Sequence, residues 1–296
     1  MDLKAYLNEK RAIVEETLGG IFPAPEGPAA NIVSAMGYSL FAGGKRLRPI
    51  LCIAGAEAVG GEAKDVLPVA CGIELIHTYS LIHDDLPVMD DDDMRRGKPT
   101  SHKVFGEAVA LLAGDGLLTE AFHVMTSPDF LNRVRPDALL AAIALIAQAA
   151  GYEGMVGGQV VDIQSEGKEV DPSIVEFIHA RKTAALISAS VVSGAILAGA
   201  VEDQLKALAS YGQNIGLAFQ VSDDILDIEG DSGELGKNVG SDTRQEKITF
   251  PAVVGLKRSK EIQKELVDRA IESLAPFDQR AEPLRHIAKY IIARRT

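Results

Sequence analysis

Six aspartates, Asp84, Asp85 and Asp90 to Asp93, crowd into ten residues of the run Leu81-Ile-His-Asp-Asp-Leu-Pro-Val-Met-Asp-Asp-Asp-Asp-Met-Arg-Arg-Gly97. Like charges this close repel strongly, so a fold that orders the run must bring cations to it, and hard carboxylate oxygens suit Mg2+ better than a soft metal. An isolated acidic run is usually a solvated loop; here a second acidic cluster reverses that preference. The residues before Asp84 read as helix, whereas Pro87 clashes with any continuation of it. In an unbroken helix, at about 100° per residue, Asp84 and Asp90 would point to different sides, so the break at Pro87 is what returns Asp90 toward Asp84. Arg95 and Arg96 follow at once, and guanidinium forks beside a metal cluster suggest a diphosphate ligand.

The second cluster is Phe219-Gln-Val-Ser-Asp-Asp-Ile-Leu-Asp227, inside a stretch that reads as continuous helix. Asp223 and Asp227 are four apart and share a face, with Gln220 one turn before them. Phe219, Val221, Ile225, Leu226 and Ile228 imply burial around these acids, and buried like charges need a counter-ion. Facing acidic pairs on two helices are how bundles build interior metal sites. A di-iron bundle would require two Glu-x-x-His pairs; Glu74 and His77 form one, no second is present, and the aspartate excess favours Mg2+.

Elsewhere the chain is helical in pattern. An amphipathic helix is expected near Asp2 to Leu18, stopped by Gly19 and Gly20. Asn31 is expected to cap a helix reaching Phe41, and further helices are expected near 50–59, 66–85, 107–126, 137–150, 172–200, 203–229, 246–274 and 281–294. Strand alternation is sustained nowhere. With neither linker nor fixed-period repeat, one all-α domain over residues 1–296 is the economical reading. A hydrophobic content of 47% is ample for a core, while a net charge of -12 and a pI near 5.0 argue against nucleic acid as partner. Cys52 and Cys71 fit reduced core thiols in a cytosolic protein, pointing to the cytoplasm. Met1 to Lys10 lacks the apolar core of a signal peptide, and Ala184 to Val201 is interrupted by Ser and Gly, so a buried helix is expected rather than a membrane span.

Basic groups complete the pattern. Gly43-Gly-Lys-Arg-Leu-Arg-Pro49 sets Lys45, Arg46 and Arg48 after a glycine pair and before a helix that Pro49 can start, a phosphate-suited arrangement without Walker spacing. His77 lies two turns before Asp84 on the same helix face. Lys182-Thr183, Lys237 and Lys247 add cations, the last two in and just after the loop Gly236-Lys-Asn-Val-Gly-Ser-Asp242.

Taken together, GGKRLRP at 43–49, HDDLPVMDDDDMRRG at 83–97, GGQVVD at 157–162, Lys182-Thr183, FQVSDDILD at 219–227 and GKNVGSD at 236–242 resemble the short-chain trans-prenyl diphosphate synthases, across essentially the whole chain. The resemblance implies an all-α isoprenoid-synthase bundle around a deep cavity, usually a homodimer. It assigns Asp84, Asp85, Asp90, Asp223 and Asp227 to several Mg2+ ions on an allylic diphosphate. It gives Lys45, Arg48, His77 and Arg96 to isopentenyl diphosphate, and Arg95, Lys182 and Lys237 to the allylic diphosphate. Thr183 and Gln220 would turn oxygen dipoles toward the transient allylic cation; Gln159 and Asp162 match the family without a role of their own.

The resemblance also places control of product length just before Asp84. Tyr79 lies five residues back, roughly 7.5 Å along a helix axis, and Ser80 beside it is small. An aromatic floor there favours the fifteen-carbon farnesyl diphosphate over the twenty-carbon geranylgeranyl product. A terpene cyclase would not need the second basic pocket of Lys45, Arg48 and His77, and a catalytically silent partner subunit would commonly have lost metal aspartates, of which none is missing.

Overall fold

Helices make up nearly every element of the computed structural model, which describes residues 1–168, 171–229 and 249–293. They are α1 (Leu3–Gly19), α2 (Ala30–Leu40), α3 (Leu47–Ala58), α4 (Leu67–Asp84), α5 (Ser101–Phe105), α6 (Glu107–Met125), α7 (Pro128–Leu131), α8 (Pro136–Ala150), α9 (Met155–Ser165), α10 (Pro172–Ile178), α11 (Ala185–Leu197), α12 (Glu202–Glu229), α13 (Phe250–Val254), α14 (Leu256–Ser273) and α15 (Glu282–Ala293). The all-α expectation holds. Between α4 and α5 a small hairpin pairs β1 (Met94–Arg95) with β2 (Lys98–Pro99), Arg95 opposite Lys98. Its two-residue turn has Arg96 at φ 52° and Gly97 at φ 75°, the positive angles of a type I′ connection.

Several expected boundaries move. Asn31 lies inside α2, where Ala29 takes the cap position without a side-chain bond. The expected helix over 172–200 is divided by a π-helical turn, His179–Ala184, and the one over 246–274 by Gly255 at φ 82°. Helix α9 is not among the expected helices, and Gly157 and Gly158 lower its local propensity.

The chain falls into two compact units: Met1–Tyr6 with Leu51–Val66 and Val134–Thr296, and Leu7–Ile50 with Leu67–Arg133. In the latter, α4 and α6 run antiparallel at close range. Gly72 faces Met125 and Gly114 faces His83; a Cβ on Gly114 would lie 2.1 Å from His83 Nε2. Helix α4 is apolar and buried on nearly every side, as a core helix should be. In the other unit, α11 packs with α8 and α12. Its Gly194 lies so close to Cys52 of α3 that an added Cβ would sit 1.9 Å from the Cys52 carbonyl oxygen.

Cys52 and Cys71 are free and buried, and burial pushes the Cys52 thiol up to about 12, so it is inert. Three stretches, Glu107–Leu131, Pro136–Ser165 and Pro172–Leu197, are long and apolar enough to cross a membrane by length and composition. The third contains α11, whose residues from Leu186 to Ala195 are mostly buried in the protein.

Candidate active site

Helix α4 ends at Asp84, and the chain then folds back: the Asp90 amide donates to the Asp84 carbonyl at 2.9 Å, and the Asp91 amide to the Leu86 carbonyl at 3.2 Å. Asp91 takes φ 50° in this turn. The break therefore returns the backbone of Asp90 to that of Asp84, at the negative pole of the α4 dipole, where cations are favoured. Asp85 behaves differently. It is 3% exposed, and one oxygen accepts from Arg95 Nε and Nη2, each at 2.5 Å. Burial lifts its carboxyl to about pH 6 despite the opposing pull of Arg95. Farther along, Thr100 donates to the Asp92 carbonyl at 2.7 Å and Lys103 pairs with Asp93 at 2.7 Å. Arg95 thus serves Asp85 closely and Asp92 at 3.6 Å, while Asp93 has Lys103.

The glycine-basic loop has two functions. Arg46, at φ 52° and 2% exposed, spends its guanidinium on Glu15 (2.7 Å), Glu74 (2.8 Å) and the Leu40 carbonyl (2.6 Å), so it is a structural tie. Glu74 is consequently committed to Arg46, which removes it from any Glu-x-x-His metal pair. Pro49 is the third residue of α3 and not the first, a position whose missing amide is still harmless. Lys45 is exposed and Arg48 partly so. Arg96, at the hairpin tip, donates to the Gly43 carbonyl, and a Cβ on Gly44 (φ 134°) would lie 2.8 Å from Arg96 Nη1. The glycine pair is therefore needed for the close approach of Arg96. His77 records the resulting field: burial, then the charges of Arg48, Arg96, Arg95 and Arg46, hold its pKa well below the usual imidazole value. Such a place favours an anion.

Higher on the same helix, Tyr79 is 7% exposed, and its ring meets His83 edge-on with centroids 5.6 Å apart. His83 Nε2 lies 2.9 Å from the Leu111 carbonyl oxygen. Burial, then nearby Asp84, raises the Tyr79 phenol pKa. Ser80 donates back to the His77 carbonyl at 2.9 Å.

In the other unit, Asp223 and Asp227 are half-buried in the last two turns of α12. Ile228, expected to be buried, is 52% exposed. The π-turn carries Lys182 and Thr183, and three glycines let neighbouring backbones reach it and the start of α11. Gly158 of α9 would place a Cβ 2.4 Å from the Lys182 amide nitrogen, and Gly216 and Gly212 of α12 lie equally tight on Ala184 and Ser188. Lys182 Nζ pairs with Asp162 at 2.8 Å, and the Thr183 hydroxyl donates to Gln220 Oε1 at 2.9 Å. The GGQVVD motif thereby acquires a role: a glycine that admits Lys182 and, one turn later, the carboxylate that holds it. The Gln220 oxygen is directed at Thr183. Asp224, which sequence reasoning passed over, is 2% exposed and accepts from the Phe250 amide at 2.9 Å and from Gln220 Nε2 at 3.3 Å. Lys237 and Lys247 lie outside the described residues.

Among the described residues no three His, Cys, Asp or Glu side chains stand as a ready metal cluster. Mg2+ keeps several waters and is commonly held by one or two carboxylates together with substrate phosphates. Asp84 with Asp90, and Asp223 with Asp227, are donor sets of that kind.

The polyprenyl synthetase family model matches residues 30–288. A farnesyl diphosphate synthase of Geobacillus stearothermophilus is 47% identical, over 99% of this chain and 98% of its own. The chloroplastic heterodimeric geranylgeranyl pyrophosphate synthase large subunit 1 of Arabidopsis thaliana is 48% identical, over 99% of this chain and 80% of its own. An FPP/GFPP synthase structure from Zymomonas mobilis superposes with a TM-score of 0.88 at 37% identity, over 98% of this chain and 99% of that one.

Proposed function

The chain belongs to the polyprenyl synthetase family, and on that premise we propose that it condenses isopentenyl diphosphate head-to-tail with dimethylallyl and geranyl diphosphates, releasing mainly farnesyl diphosphate. The observation that carries the reading is the gathering of Arg48, Arg95 and Arg96 around His77, with Arg96 seated on the Gly43–Gly44 loop; burial, then those charges, holds the His77 pKa low, and a diphosphate would relieve the crowding of charge. Lys45, Arg48, His77 and Arg96 bind isopentenyl diphosphate. Arg95, Lys182 and Lys237 bind the allylic diphosphate. Asp84, Asp90, Asp223 and Asp227 hold Mg2+, more than one ion, and Asp85 assists mainly by holding Arg95. Bound Mg2+ supplies charge neutralisation that makes diphosphate a better leaving group.

Given those contacts, the chain's own groups favour ionisation of the allylic carbon–oxygen bond. Arg95 and Lys182 offset charge on the departing oxygen, and the Thr183 oxygen dipole stabilises the delocalised cation. The isopentenyl alkene attacks that cation, and proton loss to the released diphosphate restores a double bond.

Relatives named for fifteen- and twenty-carbon products match at similar identity, so Tyr79 supports the choice. Its ring, buried and packed on His83, is suited to a floor. Geranylgeranyl diphosphate is the alternative product. We also propose a cytoplasmic homodimer without membrane spans. Incubation with labelled isopentenyl diphosphate, an allylic diphosphate and Mg2+, followed by identification of the prenyl chain, tests the reading; no product in wild type would overturn it.

A further inference from the structure

Two pairs of residues, each four apart, meet where the π-turn crosses α12: His179 lies against Asp224, and Thr183 against Gln220. The antiparallel register continues through Ala184 on Gly216 and Ser188 on Gly212. We propose that Asp224 is a positioning residue that fixes the polarity of the Thr183 hydroxyl, so that oxygen lone pairs and not its proton face the developing allylic cation. The proposal rests on the prenyl-transfer reading.

Hydrogen-bond direction carries the argument. A carboxylate only accepts, so Gln220 must turn its amide NH2 to Asp224, where Nε2 lies 3.3 Å from Oδ1. That orientation leaves Gln220 Oε1 toward Thr183 Oγ1, 2.9 Å away, and an amide oxygen also only accepts. The one Thr183 hydroxyl proton is therefore committed to Gln220, and what remains on its oxygen is lone-pair density. Asp224 cannot easily turn away. Its Oδ2 is pinned by the Phe250 amide at 2.9 Å, and His179 Nε2 approaches the same oxygen to 3.6 Å, longer than a hydrogen bond. The His179 ring in turn lies against Phe250, centroids 5.2 Å apart. Burial, then Lys182, lowers the His179 pKa to about 3, so a neutral ring adds no cation that would draw Asp224 off Gln220. His179 and Thr183 are four apart and so serve one face of α12, and π-turns of this kind recur at functional sites.

The test reads rate separately from binding. Asp224→Asn keeps size but can offer NH2 to Gln220, which then flips and turns the Thr183 proton outward. The expected result is a loss in kcat of about 10²-fold, with KM for both diphosphates within about two-fold and the half-saturating Mg2+ concentration unchanged. Adding Gln220→Glu should restore most of the rate, because the new carboxylate then accepts both from the amide introduced by Asp224→Asn and from the Thr183 hydroxyl. Thr183→Val should be similarly slow, and Asp224→Asn should add nothing to it. Gln220→Met, which leaves the Asp224–Phe250 contact in place, gives a second route if Asp224→Asn does not fold; it too should lose kcat with KM unchanged. Wild-type kcat in Asp224→Asn or Gln220→Met, additive losses with Thr183→Val, no rescue by Gln220→Glu, or a raised Mg2+ requirement would overturn the proposal. Absence of prenyl transfer in the wild type would instead overturn the reading beneath it.

Discussion

In the first acidic region the inward-turned aspartate is held by a charge, and in the second by neutral donors: Asp85 closes on the Arg95 guanidinium, Asp224 on the Phe250 amide and the Gln220 side chain. Both regions lie at the C-terminal end of a helix, α4 or α12, where the dipole adds to the need for cations. Their surroundings differ. Around Asp84 the chain is a folded-back turn and a hairpin, with Arg96 and Asp91 at positive φ. Around Asp223 it is uninterrupted helix clamped by glycines. An arginine held by Asp85 and, at 3.6 Å, by Asp92 can exchange carboxylate for diphosphate, whereas the Phe250 amide and the Gln220 side chain are neutral donors that keep their geometry. On the proposed reading both regions hold metal through their outward acids, and the second in addition holds direction through Asp224 and Gln220.

The largest test of that division removes the outward acids. Asp84→Ala and Asp223→Ala should each lower prenyl transfer by ~10²–10³, as loss of one transition-state contact does, and EDTA should abolish it. Full steady-state activity in either variant would take its region out of the metal site.

Next in size is a split between substrates. Arg48→Ala or His77→Gln should raise KM for isopentenyl diphosphate by about tenfold, ~1.4 kcal/mol, with a smaller change for the allylic substrate. Equal increases for both substrates would contradict separate pockets.

How far the sequence reveals this division depends on the kind of signal. Pro87 is a steric stop, so the end of α4 and the return of Asp90 can be read from residue types alone. The i,i+4 relation of Asp223 and Asp227 is equally local. The tasks of Arg46 and Asp224 are not: an arginine between Lys45 and Arg48 looks like another phosphate cation until Glu15 and Glu74 enclose it. Asp224 differs from Asp223 only by which side of α12 meets Phe250. Helix α9 was hidden for a related reason. Glycine lowers helix propensity locally, whereas Gly158 is required by the backbone of Lys182, which lies more than twenty residues later in sequence.

The neutral network also predicts acid lability. The folded His179 pKa is about 3, below the unfolded value of 6.5, so below pH 6.5 the unfolded chain takes up a proton that the folded chain refuses. Stability from this group is present above pH 6.5 and is lost on acidification, by up to ~1.4 kcal/mol per pH unit. His77 is shifted in the same direction and contributes with the same sign. Urea midpoints measured at pH 7 and pH 5 should therefore fall for the wild type and fall less for His179→Gln. An unchanged pH slope in that variant would mean the buried ring can be protonated in place.

The smallest energetic effect concerns product length, and it separates the regions most sharply, because only the first should control it. Tyr79 is carried by α4 and packs on His83, which stays in place because Gly114 has no side chain and because Leu111 offers its carbonyl oxygen. Choosing fifteen over twenty carbons at a tenfold product ratio requires only ~1.4 kcal/mol, within reach of one ring's overlap with a lengthening tail. Tyr79→Ala and Tyr79→Met should shift the chromatographic profile of dephosphorylated products toward twenty carbons. Gly114→Ala offers a finer probe. Its new Cβ would lie 2.1 Å from His83 Nε2, so the imidazole must move, and Tyr79 with it, although the floor ring is still present. That variant should broaden the length distribution, whereas Thr183→Val, in the second region, should slow turnover and leave lengths unchanged. A length shift in Thr183→Val, or none in either Tyr79 variant, would mean that the floor is not on α4.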